Sequence, residues 1–277
     1  MRPTLIDIAG IPIRSFGLMV LLGFGVAAFY AMGVARRRMK GRKPDEPGVI
    51  TPDHVFDMSL VGLFVAIAGA RLLYVLLSPG EFRRNPWDVF KVWSGGISVH
   101  GAIAAGILYL WWYCRKHKLS FYEFADLAAP SFALGYAIGR IGCFLNGCCY
   151  GRECDLPWAT RFLVSESSNT WTPPSHPTQI YAALMNLTIF GILHIWNSRP
   201  HPRGVVFLGY LALYSIYRFI DEIFRAGATS TLWRYGLTHA QAFSLISLPV
   251  ILFCLLKLYR RGSSPDRHHV EESTQSA

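Results

Sequence analysis

The strongest constraint in this chain is the recurrence of apolar runs close to twenty residues long. A helix rises about 1.5 Å per residue, so crossing the ~30 Å hydrocarbon core of a bilayer takes about 20 consecutive apolar residues. Runs of this kind cover 15–35, 55–77, 97–114, 124–146, 178–196, 204–225 and 239–259, with glycines and polar residues interrupting those at 97–114 and 124–146. In lipid every backbone polar group must be bonded within its own structure, which leaves helices as the elements these runs can form. The expectation is an all-α polytopic membrane protein of seven transmembrane helices. Composition agrees, since 52% of the 277 residues are hydrophobic and 16% charged, too apolar for a soluble domain of this length.

No stretch reads as a second domain, and no internal repeat is visible. Residues 1–259 are expected to form one transmembrane domain, followed by a polar, disordered tail over 260–277. The basic residues follow the first apolar run instead of preceding it, and no small-residue cleavage site stands out. That run is therefore expected to be a retained helix and not a signal peptide.

Orientation follows from Lys and Arg in the connecting segments, because positively charged loops stay cytoplasmic. RRRMKGRK after the first run holds six, RKHK at 115–118 three, NSRPHPR at 197–203 two and the end from Lys257 four. Against these fifteen stand nine on the other side, Arg2, Arg14, Arg83, Arg84, Lys91, Arg152, Arg161, Arg225 and Arg234, spread among carboxylates over longer segments. The N-terminus is expected outside and the C-terminus in the cytoplasm, with a small outer head over 147–176, between the fourth and fifth helices. The net charge of +10 is then mainly a topology signal beside anionic lipid. Nucleic acid is not an expected partner, since no basic, aromatic-interleaved binding module is present.

Threaded through this topology, the conspicuous intramembrane charges fall in the outer leaflet. Arg71 lies in the outer third of the second helix, and His100, in SGGISVHG, near the outer end of the third. Arg140 and Asn146 lie at the outer end of the fourth helix, and HPTQIY opens the fifth with His176, Gln179 and Tyr181. The sixth ends in YRFIDEIFR, where Arg218, Glu222 and Arg225, at i, i+4 and i+7, share one face. A charge inside a span costs about 2.5–3.5 kcal/mol even on lenient scales, so such residues pair or line a cavity. Arginines from three helices point to an anion, and in the outer leaflet the abundant anion is a phospholipid headgroup, whose phosphate matches the guanidinium fork. The competing structural reading is an ion pair with interfacial arginines, strongest for Arg225. His100 alone reads as an interfacial hydrogen-bonding group; beside a phosphate site it reads as a general base.

Four of the six cysteines, Cys143, Cys148, Cys149 and Cys154, fall on the outer, oxidising side, where disulfides form. Their spacing lacks a CxxC pair, and adjacent cysteines are poor co-ligands without strain, so apolar packing with one disulfide is expected over a metal site.

The motifs SGGISVHG, GARLLYVL, GRIGCFLNGCCYG, HPTQIYAA and YRFIDEIFR, in this order on seven helices, resemble the bacterial prolipoprotein diacylglyceryl transferase family from about Arg14 to Gln241. The resemblance implies an inner-membrane enzyme, with its active site on the periplasmic side. It would move the diacylglyceryl group of phosphatidylglycerol to the lipobox cysteine of prelipoprotein signal peptides and release glycerol phosphate. It implies no cofactor and no metal. The family's catalytic histidine matches His100, its signature arginine, asparagine and glycine match Arg140, Asn146 and Gly151, and its second arginine motif matches Arg218, Glu222 and Arg225. Three positions depart: Cys143 stands for an asparagine, Cys148 for a glutamate and Phe16 for a tyrosine. On this reading Arg140 and Arg218 hold phosphate with Arg71 and Arg225 nearby, Glu222 orients an arginine, His100 takes the thiol proton, and Asn146 and Gln179 position headgroup or peptide. Two other classes fit intramembrane charges, a transporter for an anionic solute and a thiol redox membrane protein. The inner half offers mainly Asp57, Glu123 and Asp126, which favours a one-sided pocket over a transport path.

Overall fold

Each apolar run is a helix in the computed structural model, which describes residues 4–8, 11–44, 46–83, 85–92, 95–165, 169–226 and 236–262. The long helices are α1 (Ser15–Arg38), α2 (Pro52–Leu77), α4 (Val99–Lys116), α5 (Phe121–Asn146), α6 (Thr178–Asn197), α7 (Val205–Phe224) and α8 (His239–Gly262), and α3 (Pro79–Phe82) is a single turn. Five of them, α1, α2, α5, α6 and α8, are long and apolar enough to cross a membrane. The other two fall short of the expected seven for visible reasons. The 18 residues of α4 end on Arg115 and Lys116, and α7 carries Arg218, Asp221 and Glu222 in its last two turns. Two hairpins absent from the sequence reading complete the fold, β1 (Thr4–Ile8) with β2 (Ile11–Arg14) and β3 (Leu163–Ser165) with β4 (Thr170–Trp171). Beyond Gly262 the expected tail lies outside the described residues.

The chain forms two compact units, residues 28–124 and residues 1–27 with 125–277. In the first, α2 and α4 cross where Gly69 meets Gly101. A Cβ on either glycine would overlap the other's carbonyl, so only glycine permits this approach. Thr51 caps α2, its hydroxyl accepting from the His54 N–H at 3.2 Å while the His54 ring accepts from the Thr51 N–H. Arg71 holds the chain entering α4. Its guanidinium donates to the carbonyls of Asp88, Val89, Gly95 and Gly96 at 2.5–2.9 Å, and the Ser98 N–H donates to Ala70.

In the second unit, Ala129, Ala133, Ala182, Ile189, Leu193, Val206 and Tyr217 from α5, α6 and α7 form the buried core. Asp126, fully buried in α5, accepts from the N–H groups of Gly204 and Phe207 at 2.6 and 2.7 Å and so caps the start of α7. This gives Asp126 a structural task. Large apolar side chains elsewhere face outward, Phe29, Phe64, Phe243 and Phe253 among them, a surface suited to lipid.

Candidate active site

The ends of α5, α6 and α7 are tied together by backbone bonds around Gly151. Its N–H donates to the His176 carbonyl at 2.9 Å, the His176 N–H donates to Arg152, and the Arg152 N–H donates to Phe224 at 2.8 Å. The Arg152 Nε also donates to the Arg225 carbonyl at 3.0 Å. A Cβ at position 151 would overlap the Phe224 carbonyl, His176 and Thr178, so glycine is required for the three segments to meet. The head between α5 and α6 leans on this knot: Phe162 is buried against Tyr150 and Phe144, and the Thr160 N–H donates to the Ser175 carbonyl at 3.0 Å.

Onto this frame converge six of the nine residues singled out above. At the end of α7, Arg218 Nη1 lies 2.5 Å from Glu222 Oε2 and 3.2 Å from Asp221 Oδ2, and Arg225 Nη1 lies 3.6 Å from the same Asp221 oxygen. Both carboxylates are buried. Arg140 reaches the set from α5 and lies within the electrostatic field of Asp221. It is backed by tyrosines: it stacks 4.8 Å from the Tyr136 ring and donates to the Tyr136 hydroxyl, which lies 3.3 Å from that of Tyr217. Three cations against two carboxylates leave one positive charge in excess, in a place where water is scarce. Gln179, fully buried at the start of α6, donates to the Cys148 carbonyl at 2.7 Å, while its Oε1 and the Arg140 Nε are buried without protein hydrogen-bond partners. Such groups call for a polar ligand. Gly151 holds the frame, and Asn146 closes α5 as its last residue.

Arg71 and His100 belong to the other unit. Arg71 is buried with four carbonyl acceptors, and His100 is exposed in the first turn of α4, four residues beyond Gly96, the last residue that Arg71 grips. The sequence reading passed over Asp221, Tyr136 and Tyr217. Asp221 sits three residues after Arg218 and four before Arg225, a spacing that signals its bridging place.

An open cavity of about 340 Å³ adjoins the charges, lined mostly by apolar and aromatic side chains, including Trp158, Tyr181, Met185, Ile220 and Phe224, with Asp221 at one edge. His176 Nδ1 and Trp158 Nε1 lie 3.2 and 2.7 Å from the Tyr181 hydroxyl, which fixes the head over the cavity.

The sequence profile of the prolipoprotein diacylglyceryl transferases matches residues 3–259. The chain belongs to this family. Among its relatives are proteins named phosphatidylglycerol–prolipoprotein diacylglyceryl transferase in several bacteria. That of Photobacterium profundum is 36% identical over 267 residues, covering 95% of this chain and 94% of its own. That of Vibrio parahaemolyticus is 34% identical over 275 residues, covering 97% and 95%. That of Dechloromonas aromatica is 34% identical over 266 residues, covering 94% and 97%. In this prolipoprotein diacylglyceryl transferase family member, Cys143 and Cys148 lie beside the charged cluster, Cys143 three residues after Arg140 on α5. Gly147, at φ 75°, ends α5 in a left-handed turn whose N–H donates to Phe144 at 3.2 Å, while the Cys148 N–H donates to Cys143 at 3.1 Å. This closure places the side chains of positions 143 and 148 in contact. Cys149, at φ 63°, turns a third thiol toward them, so that the sulfurs of Cys143, Cys148 and Cys149 lie within 4.8 Å of one another. All six cysteines are free thiols.

Proposed function

We propose that this protein transfers the diacylglyceryl group of phosphatidylglycerol to the lipobox cysteine of prelipoproteins, the first step of lipoprotein maturation. The observation that carries the reading is the positive excess of Arg140, Arg218 and Arg225 over Asp221 and Glu222, set beside an open apolar cavity. The family membership and the names of the relatives support it. In the reaction the acceptor sulfur forms a bond to the terminal glycerol carbon of the diacylglyceryl group. The carbon–oxygen bond to phosphate breaks, its electron pair stays on the phosphate oxygen, and the thiol proton goes to a base. The phosphate passes from one negative charge to two, so cations fixed in a poorly hydrated place favour the transition state over the bound lipid.

In this scheme Arg140 and Arg218 bind the phosphate, Glu222 and Asp221 hold Arg218 and Arg225 in place, and Gln179 and Asn146 orient the headgroup or the peptide. The apolar cavity takes acyl chain or signal helix. His100 is the base by its match to the family motif, and Arg71 shapes the segment that presents it. Residues 1–259 form one catalytic domain in the bacterial inner membrane, with α4 and α7 crossing as the third and sixth of seven spans, the N-terminus and the site periplasmic and the tail cytoplasmic. The capping role of Asp126 removes one inner charge that a transport path would need.

The purified protein, given phosphatidylglycerol and a lipobox peptide, is expected to yield a diacylglyceryl thioether and glycerol phosphate. Arg140→Ala and Arg218→Ala should each lower the rate about a thousandfold, the equivalent of about 4 kcal/mol of transition-state stabilisation. Wild-type protein that binds the lipid but transfers nothing to any such peptide would overturn the reading.

A further inference from the structure

The thiols of Cys143, Cys148 and Cys149 have no part in the scheme above, yet they form the tightest cluster of metal-binding side chains among the described residues. Zinc bound by thiolates sits about 2.3 Å from each sulfur, which in tetrahedral geometry sets the sulfurs about 3.8 Å apart. Sulfurs within 4.8 Å of one another need to close by about 1 Å or less to meet that requirement. The arrangement is built. The turn at Gly147 pairs Cys143 with Cys148, and the left-handed backbone at Cys149 removes the obstacle that adjacent cysteines ordinarily pose to shared ligation. The first turn of α6 then pins both carbonyls, Gln179 donating to Cys148 and Thr178 to Cys149 at 2.7 Å each. Groups that fix a ligand's backbone in this way sharpen metal geometry. The Arg225 and Arg140 cations lie near enough to act electrostatically on the Cys149 sulfur. The same cations offset the negative charge left when three thiolates surround a divalent ion.

A disulfide joins two sulfurs and leaves no reason for the third to converge. Three thiolates without a fourth protein ligand in the cluster suit a soft cation with one position open to substrate.

We propose that Cys143, Cys148 and Cys149 bind one zinc ion through three thiolates, and that the open position takes the acceptor thiol of the lipobox cysteine. The second half rests on the transferase reading. Loading releases three protons to solvent and involves no redox change. On binding, the acceptor thiol passes its proton to His100, the base of the scheme above, and zinc stabilises the thiolate that remains. It then attacks carbon as described, the broken bond's electron pair leaves with the phosphate, and zinc remains on the protein.

The full-length protein in detergent, dialysed against zinc and then freed of loose metal, should retain one equivalent by elemental analysis. Cys148→Ser and the Cys143→Ser/Cys148→Ser/Cys149→Ser triple variant should retain less than a tenth of that, and Cys154→Ser and Cys254→Ser should match wild type. Cobalt in place of zinc should give a sulfur-to-cobalt charge-transfer band that the triple variant lacks. Adding a lipobox peptide should shift the visible cobalt bands, whereas the same peptide with serine for cysteine should not. Wild type without retained metal, or with Cys143 and Cys148 joined as a disulfide when thiols are trapped in intact cells, overturns the site. A spectrum indifferent to the cysteine peptide overturns the role of the open position. These measurements need no turnover, so the transferase reading fails or stands separately, in the transfer assay. Metal retained without transfer refutes that reading and spares the site, and full transfer by the triple variant refutes the role of the open position and spares the reading.

Discussion

Arg140 is a cation kept inside the end of an apolar helix with no carboxylate hydrogen-bonded to it. Its partners are a tyrosine ring and hydroxyl, which leave its charge to act on whatever enters the site. Arg218 is held in the opposite way, by two carboxylates at once. Asp221 is therefore the residue that decides how much positive potential the α7 cluster presents, since it faces both Arg218 and Arg225. Asp221→Asn should keep the protein folded, because the amide retains one acceptor, while freeing both arginines to move. The expected outcome is a rate lowered about ten- to a hundredfold in the transfer assay, a loss of positioning and not of the phosphate ligands themselves. His100 reports on a different step. A free thiol has an ordinary pKa of about 8.5, so at neutral pH most of it is protonated and a base speeds the reaction. His100→Gln should therefore lose rate at pH 7 and regain part of it as the pH rises toward 8.5 and the acceptor ionises unaided. A uniform loss across that range would make His100 a positioning residue. The arginines and Glu222 were legible in the sequence because charges in apolar runs are conspicuous. Tyr136 and Tyr217 were not, because their value arises only when α5 and α7 bring one hydroxyl against the other and one ring under Arg140.

Helices were legible as elements for the same reason that they are stable in lipid. A twenty-residue apolar run has one backbone solution there, and the seven runs coincide with seven helices to within about three residues at most ends. The two hairpins were illegible, since strands of two to five residues offer too little alternation to be seen. The convergence of the cysteines was illegible too, because it depends on a left-handed residue that is not glycine, Cys149. Where elements end, the fold depends on close approach. Gly151 joins three of these ends, and its missing side chain leaves room for the Phe224 carbonyl, His176 and Thr178. Gly151→Ala should force those backbones apart, costing about 1–3 kcal/mol as overpacking of a tight contact and disordering the arginine cluster that hangs from the frame. A lowered thermal midpoint in detergent together with lost transfer is the expected result. An alanine variant with wild-type stability and rate would show that the α6 and α7 ends can separate without consequence.

At the scale of the whole molecule, the sidedness of the charge decides where the chemistry can happen. Lys and Arg number fifteen in the four segments assigned to the cytoplasm, and the first alone, starting in the last turn of α1, carries six within eight residues. Each such charge near an anionic leaflet contributes about 1 kcal/mol, and translocating the group would forfeit it, so this segment fixes α1 and, through it, every later helix. With seven spans the head between α5 and α6 must then lie outside, together with the three arginines and the thiols. With the five most apolar helices alone, α4 would not cross, α5 would be the third span instead of the fourth, and the head would fall on the cytoplasmic side, where no exported signal peptide could meet it. The two counts give opposite outcomes in one experiment. Alkaline phosphatase, active only after export, fused behind Ser165 should be active, and the same enzyme fused behind Lys40 or Gly262 should be inactive, while green fluorescent protein at Gly262 should fluoresce. An inactive fusion at Ser165 would show that α4 stays out of the bilayer and would place Arg140, Arg218 and Arg225 on the face where phosphatidylglycerol and the lipobox thiol do not meet.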